Sequence, residues 1–264
     1  MYKYWEISKI NMKAQLAWRA DVVFNMLFTI TKILFAYLLW GIIFQGKGMI
    51  GQFTFHGMLS YYVISSFLSQ LEMSEGISNE IHDRIRQGSF SKYMVIPVNI
   101  ETYFMFMEIG VVGFYFVFDL IAAVTWKYIF RIQFQFTDNP LILGCAVVMI
   151  FLGLLFMVQL NFLLGIMTLK YQGIGTFLMI KNNLMELVTG TIVPLALFPS
   201  IVIKVMKCLP FYYVTYLPSM LLTGQCEKEA LRGLVIILAW CVGIQAVIKT
   251  TWKTYIRKYD GVGI

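Results

Sequence analysis

With 264 residues, 59% of them hydrophobic and only 13% charged, and a mean hydropathy of +0.74, the chain carries far more apolar surface than a soluble domain can hide, which excludes an ordinary soluble enzyme. Its formal charge of +7 is accounted for by contact with anionic inner-leaflet lipid, and no nucleic acid is needed to explain it. The alternation of a β-barrel is missing, so the fold class expected is an all-α integral membrane protein.

Residues 1–20 show no uninterrupted apolar core and hold Lys3, Lys9, Lys13 and Arg19, so they do not form a cleavable signal. They predict an interfacial helix, with Tyr4, Ile7 and Ile10 on one side and the lysines reaching outward. A bilayer span takes about 20 apolar residues. Six stretches qualify: Val22 to Phe44, Phe53 to Leu71, Thr102 to Trp126, Leu141 to Leu169, Leu184 to about Ile203, and Ala230 to Ile248.

Between the second and third spans lies EGISNEIHDRIRQGSFSKYMVIPVN, the longest polar segment on its side. Ile77, Ile81 and Ile85 recur every four residues, Glu80, Asp83, Arg84 and Arg86 fall between them, and Gly88 stands where a helix C-terminal cap is expected. This predicts a short amphipathic helix over residues 76–90, either lying on the bilayer or docked on a partner protein.

The third span carries Glu101, Glu108 and Asp119. At 100° per residue, the separations of 7 and 11 residues return to within about 20° of the same direction, so the three carboxylates share one stripe. An ionised side chain at mid-membrane costs about 2.5–3.5 kcal/mol on insertion scales, so the stripe must face protein or water. Two readings stay open: pairing with Lys32 or with Gln159 and Asn161, or an acidic wall that attracts cationic amphiphiles.

The segment ELVTGTIVPLALFPSIVIKVMKCLPFYYVTYLPSMLLTG is nearly all apolar, yet Pro194, Pro199, Pro210 and Pro218 break it. Each proline removes a backbone donor and clashes with the preceding turn, so residues 194–218 must be broken helices lying against protein or water. Cys208 and Cys226 fall on the outer side; free thiols are expected there, with a disulfide as the alternative.

Basic residues orient the chain. Lys3, Lys9, Lys13, Arg19, Arg84, Arg86, Lys92, Lys170, Lys181, Lys249, Lys253, Arg257 and Lys258 lie on one side, against Lys47, Lys127, Arg131, Lys204, Lys207, Lys228 and Arg232 on the other. The positive-inside rule then puts both termini in the cytoplasm, for a multi-pass protein of the inner (plasma) membrane.

The chemistry of common enzymes is missing. There is no G-x-x-x-x-G-K-[ST] phosphate loop, since Gly46-Lys47 is followed by Gly48, and neither His56 nor His82 sits in H-E-x-x-H. The chain is therefore read as a non-catalytic protein with no bound cofactor or metal. Taken in order, the amphipathic helix followed by GSFSKYMVIPVN, then ELVTGTIVPLALFP, LPFYYVTYLP and the C-terminal YIRKYDGVG, resemble a type-2 ATP-binding-cassette (ABC) transporter permease of the compact bacterial branch.

The resemblance covers essentially the whole chain and implies a single permease domain over 1–264. It implies that residues Ile77, Ile81, Asp83, Arg84, Ile85 and Phe90 belong to a coupling helix that docks on a separate ATP-binding subunit, where ATP and Mg are bound. It further implies that Pro194 to Pro218 form an outer re-entrant hairpin and that two permease subunits, identical or homologous, enclose one pathway. Glu108, Asp119, Lys32 and Glu186 are the candidate substrate-pathway residues. The expected function is outward movement of an amphiphilic or drug-like substrate by alternating access. The alternative is an ion-coupled secondary transporter using the intramembrane carboxylates as a proton relay; no second copy of the broken-helix pattern supports it.

Overall fold

A computed structural model describes residues 2–17, 19–51, 53–130, 133–171, 173–188, 195, 198–256 and 259. Among them the chain is helical: α1 (Tyr2–Gln15), α2 (Arg19–Ile43), α3 (Phe55–Leu71), α4 (Glu75–Arg86), α5 (Ser91–Val95), α6 (Ile100–Phe130), α7 (Pro140–Ile166), α8 (Gly175–Val188), α9 (Ser200–Met206), α10 (Leu217–Leu222) and α11 (Ala230–Tyr255). Four described stretches are long and apolar enough to cross a membrane: Val22–Ile43, Ile100–Thr125, Pro140–Leu169 and Glu227–Tyr255. The other two expected spans take different forms. α3 has 17 residues, or about 25 Å at 1.5 Å per residue, and most of its side chains are buried. The stretch Leu184 to Ile203 is no single described helix, since α8 ends at Val188 and α9 starts at Ser200 behind the extended backbone of Pro199; residues 189–194, Pro194 included, lie outside the described residues.

α7 is the central post. It packs against α11, α4, α10 and the residues before α10, and two of its glycines mark where neighbours come closest. A Cβ on Gly153 would stand 3.0 Å from Val214 Cα, and one on Gly165 would stand 2.8 Å from Ile81 Cβ. The α7 start is fixed locally, with Pro140 in the first turn and the Asn139 side chain accepting from the Leu141 amide at 3.0 Å.

α1 lies along α6. The Tyr4 ring meets Phe106 at 5.3 Å, and Gly110 lies so close to the Ser8 carbonyl that a Cβ there would stand 2.2 Å from its oxygen. The packed face is thus Tyr4 and Ser8, while Ile10, expected beside Tyr4, is 63% exposed. An interior residue one turn after Tyr4 is Ser8, a small side chain that permits the close approach, and Ile10 falls on the flank. Both described chain ends gather at the α4 end of the bundle: Tyr4 Oη accepts from the Asn99 amide at 3.2 Å, and Trp252 and Tyr259 flank the Phe90 ring at 6.2 and 5.8 Å.

At the opposite end Pro199 and Pro210 stand at breaks between helices, whereas at Pro218 the helical backbone continues. Tyr212–Tyr216 form a π-helical turn that runs into α10, with Pro218 in the first turn of α10. A proline there leaves carbonyls of the preceding turn without their amide, and a wider turn is one accommodation. Hydroxyls add to the backbone bonding just beyond: Ser219 Oγ donates to the Thr215 carbonyl at 2.7 Å, and Thr223 Oγ1 to those of Ser219 and Met220 at 3.1 and 3.0 Å, carbonyls that the Thr223 and Gln225 amides also reach. All of Leu217–Leu221 is buried, which keeps this irregular backbone against protein. No disulfide forms among the described cysteines.

Candidate functional site

The amphipathic helix of the sequence is α4, preceded by Ser74 and ended at Gln87 and Gly88, whose φ of 70° is the left-handed turn that glycine adopts freely. Its apolar face turns inward. Ile77, Ile81 and Ile85 are each 0% exposed and packed in the chain's own core, a burial worth about 1.5–3 kcal/mol for each side chain. Phe90, also fully buried, is clasped by Tyr93, Trp252 and Tyr259. These four residues are therefore unable to present a ridge to another protein, contrary to the expectation from sequence; isoleucines at this spacing find a partner within the chain, in α7. The face left outside carries Asn79, Asp83 and Arg86. Arg84 sits at its margin, donating to Glu80 at 2.9–3.0 Å and lying 5.1 Å over the Tyr93 ring, whose hydroxyl donates to the same Glu80 oxygen at 2.6 Å. His82 pairs its Nδ1 with Thr168 Oγ1 at 2.9 Å; burial holds its imidazole below the ordinary histidine range, with Arg86 adding to that and Asp83 opposing it.

The N-terminal end of α4 is tied into the bundle by a polar network. Ser74 Oγ donates to Glu72 and accepts from Asn161 Nδ2 at 2.7 Å. Lys181, buried on α8, donates to Asn161 Oδ1 at 3.1 Å and to Glu75 Oε2 at 3.3 Å. Burial pushes the Glu72 carboxyl above its ordinary range, against the opposing pull of Ser74 and Lys181. The sequence offers Asn161 as a partner of the acidic stripe; it instead joins α4, α7 and α8. Nothing in the sequence marked Glu72, Glu75 or Lys181 as members of one site.

The stripe faces inward. Glu108 and Asp119 are 5% and 6% exposed, and Glu101 accepts from Gln245 Nε2 at 2.9 Å, while Gln245 Oε1 accepts from Gln159 Nε2 at 2.6 Å. Glu108 Oε1 and Asp119 Oδ2 have no hydrogen-bond partner among the described residues, and Lys32 is not within ion-pair distance of either.

A cavity of about 800 Å³ opens between α2, α3 and α8. Lys32 and Glu186 both line it, with Phe28, Trp40, Tyr62 and Gln70 among the other walls, whereas Glu108 and Asp119 do not. Two of the four substrate-pathway candidates thus come together, and the other two stand elsewhere in the interior. At the far end, the segment that holds Pro199, Pro210 and Pro218 is tied to the start of α11 by the Lys207–Glu229 ion pair and by Tyr212 Oη donating to Glu229 at 3.3 Å. No cluster of metal-ligating side chains occurs among the described residues.

Comparison with curated proteins finds no match. The sequence model described as ABC-2 family transporter protein matches residues 30–263, a span that runs from within α2 to the end of α11 and takes in α4 and the proline-rich segment. A helical membrane chain matched over nearly its whole length in this way belongs to the ABC-2 family of transporter proteins.

Proposed function

We propose that the chain is one membrane-spanning subunit of an ATP-driven exporter, working with a separate ATP-binding subunit that holds ATP and Mg and with a second permease subunit, identical or homologous. Both termini and α4 lie in the cytoplasm, and six segments span the inner membrane, with α3 and the α8 region completing the count. The observation that carries this reading is the division of α4 into two faces. Its isoleucine face is locked on α7 at Gly165, and its polar face stands clear of the bundle with Asn79, Asp83 and Arg86. A helix so built transmits a push on its polar face into the spans. ATP-driven closure of the partner subunits supplies the push, and the bundles alternate between inward and outward openings. Lys32 and Glu186 line the substrate path, and the substrate is an amphiphile reaching it from the bilayer.

The test is capture of the ATP-binding subunit. The permease purified alone hydrolyses no ATP, and the co-purified complex does. Asp83→Lys with Arg86→Glu inverts the exposed charges without touching the buried face, and is expected to weaken the complex about tenfold or more, since each 1.4 kcal/mol is tenfold in affinity. Retention of the partner and of transport by that variant refutes the docking face. The secondary-transporter reading draws support from the unpartnered oxygens of Glu108 and Asp119; transport by the chain alone under a proton gradient would establish it in place of the export reading.

A further inference from the structure

We propose that the cavity between α2, α3 and α8 receives an ampholytic amphiphile, whose headgroup carries an anionic and a cationic group together, Lys32 holding the first and Glu186 the second. The inference rests on the export reading and adds the charge class of its substrate. Both side chains line the one cavity, yet among the described residues neither makes an ion pair or a hydrogen bond. Lys32 lies about halfway along α2, 13 residues or roughly 20 Å from its start, at a depth where an uncompensated charge is costly. A ligand with one charge satisfies one wall and is repelled by the other. A headgroup with both charges satisfies both walls and leaves the cavity neutral.

The remaining walls fit such a headgroup and its tail. Thr29 Oγ1 donates to Gln70 Oε1 at 2.8 Å, which leaves the Gln70 amino group without a partner among the described residues and available to an anionic oxygen. Ser66 and Ser69 add hydroxyls to the lining. Phe28, Phe35 and Leu39 line the cavity and are exposed on the outside of α2, so an alkyl chain continues from the polar interior onto the lipid-facing surface. The volume lies within the range of about 300–1,000 Å³ found for small-molecule sites. The buried carboxylates of α6 stay outside the lining, so the cavity holds no excess of negative charge that would favour a simple cation.

The permease with its ATP-binding subunit, in phosphatidylglycerol nanodiscs, is titrated with three single-chain amphiphiles of equal, brominated tails: a lysophosphatidylethanolamine, a lysophosphatidylglycerol and an alkyltrimethylammonium. Quenching of Trp40, assigned by its loss in Trp40→Phe, reports binding. The zwitterion is expected to bind about tenfold or more tightly than either singly charged probe, the loss of one charged hydrogen bond being of that order. Lys32→Gln should turn the preference to the cationic probe and Glu186→Gln to the anionic probe, while Lys32→Arg keeps the wild-type order and shows that the fold tolerates substitution there. An order of affinities unchanged by either neutralisation overturns the proposal, as does wild-type behaviour of the double Lys32→Gln, Glu186→Gln variant, which would mean that neither residue takes part in binding. ATP-driven export that is blind to headgroup charge removes this inference and leaves the exporter intact. Binding in the expected order with no ATP-driven movement removes the exporter and leaves the site. Adding phosphatidylethanolamine to the discs separates the two sources of the ligand: displacement of the probe identifies a bilayer lipid, and no displacement identifies a separate amphiphile.

Discussion

Replacing Gly165 by alanine tests whether α4 works as a lever seated on α7. The added Cβ would lie 2.8 Å from Ile81 Cβ and 3.1 Å from both Cδ1 and Cγ2, against the 3.5–4.0 Å or so at which carbon atoms rest. A rotamer change moves the outer carbons of Ile81 but not its Cβ, so α4 itself must shift by about 1 Å. Overpacking of this kind costs about 1–3 kcal/mol, and the better helix propensity of alanine offsets about 1 kcal/mol. The expected loss of stability is therefore no more than about 2 kcal/mol, whereas transport and permease-stimulated ATPase activity in reconstituted vesicles should fall about tenfold, the equivalent of 1.4 kcal/mol at the docking face. Ile81→Ala removes two of the three close contacts, so adding it to Gly165→Ala should restore part of the activity. The cycle should show a coupling of about 0.5–3 kcal/mol. Strict additivity of the two changes, or full activity in Gly165→Ala, would refute the close seating of α4 on α7.

Lys181→Met leaves Glu75 without its cation and Asn161 Oδ1 without a donor, and should lower stability by about 1–3 kcal/mol in a thermal melt of the purified permease; an unchanged melt would show that the network is idle. Cysteines placed at Gln87 and at Gly48, both exposed, in a Cys208→Ser background, should respectively resist and accept an impermeant thiol reagent in intact cells, and labelling at Gln87 would invert the orientation. His82 binds its proton more weakly in the folded chain than in the unfolded one, so its contribution is full above the ordinary value of 6.5 and is lost as the pH falls below it. A pH series of melts should show this loss, and His82→Gln should flatten that part of the curve.

Periodicity made several features legible: the apolar stretches that became α2, α6, α7 and α11, the isoleucine face of α4, and the inward stripe of α6. Each depends on residues close in sequence. The destination of the isoleucine face was not legible, because an apolar ridge reads the same whether it meets another protein or the chain's own α7. The deciding residue was Gly165, which no spacing motif distinguished from Gly173 or Gly175. The breaks at Pro199 and Pro210 were legible as breaks, but at Pro218 the helical backbone continues, and the π turn at Tyr212–Tyr216 that precedes it left no mark in the sequence. Lys32 and Glu186 were legible as members of one pathway only through the family resemblance, since α2 and α8 are brought together by tertiary packing. The two carboxylates expected beside them turned out to belong to the protein interior.

α8 joins these parts into one mechanical line. Lys181 is held by Glu75 at the start of α4, and Glu186 lies five residues further on the same helix, about 7.5 Å along its axis, inside the cavity wall. A short α-helix moves nearly as a rigid body, because its own hydrogen bonds resist stretching far more than its packing resists sliding. A displacement of α4 imposed from its polar face is therefore delivered at two points: to α7 through Ile81 against Gly165, and to α8 through Glu75 and Lys181. The first contact is steric and close, so it transmits a push. The second is a hydrogen-bonded ion pair at 3.3 Å, so it transmits a pull. With both present, the proposed push on α4 would reach the post and the cavity wall together, and Glu186 would then change its position relative to Lys32 on α2. A cavity whose opposite charges change their separation has a different affinity for a ligand that spans them, which is the differential interaction that alternating access requires between its two states.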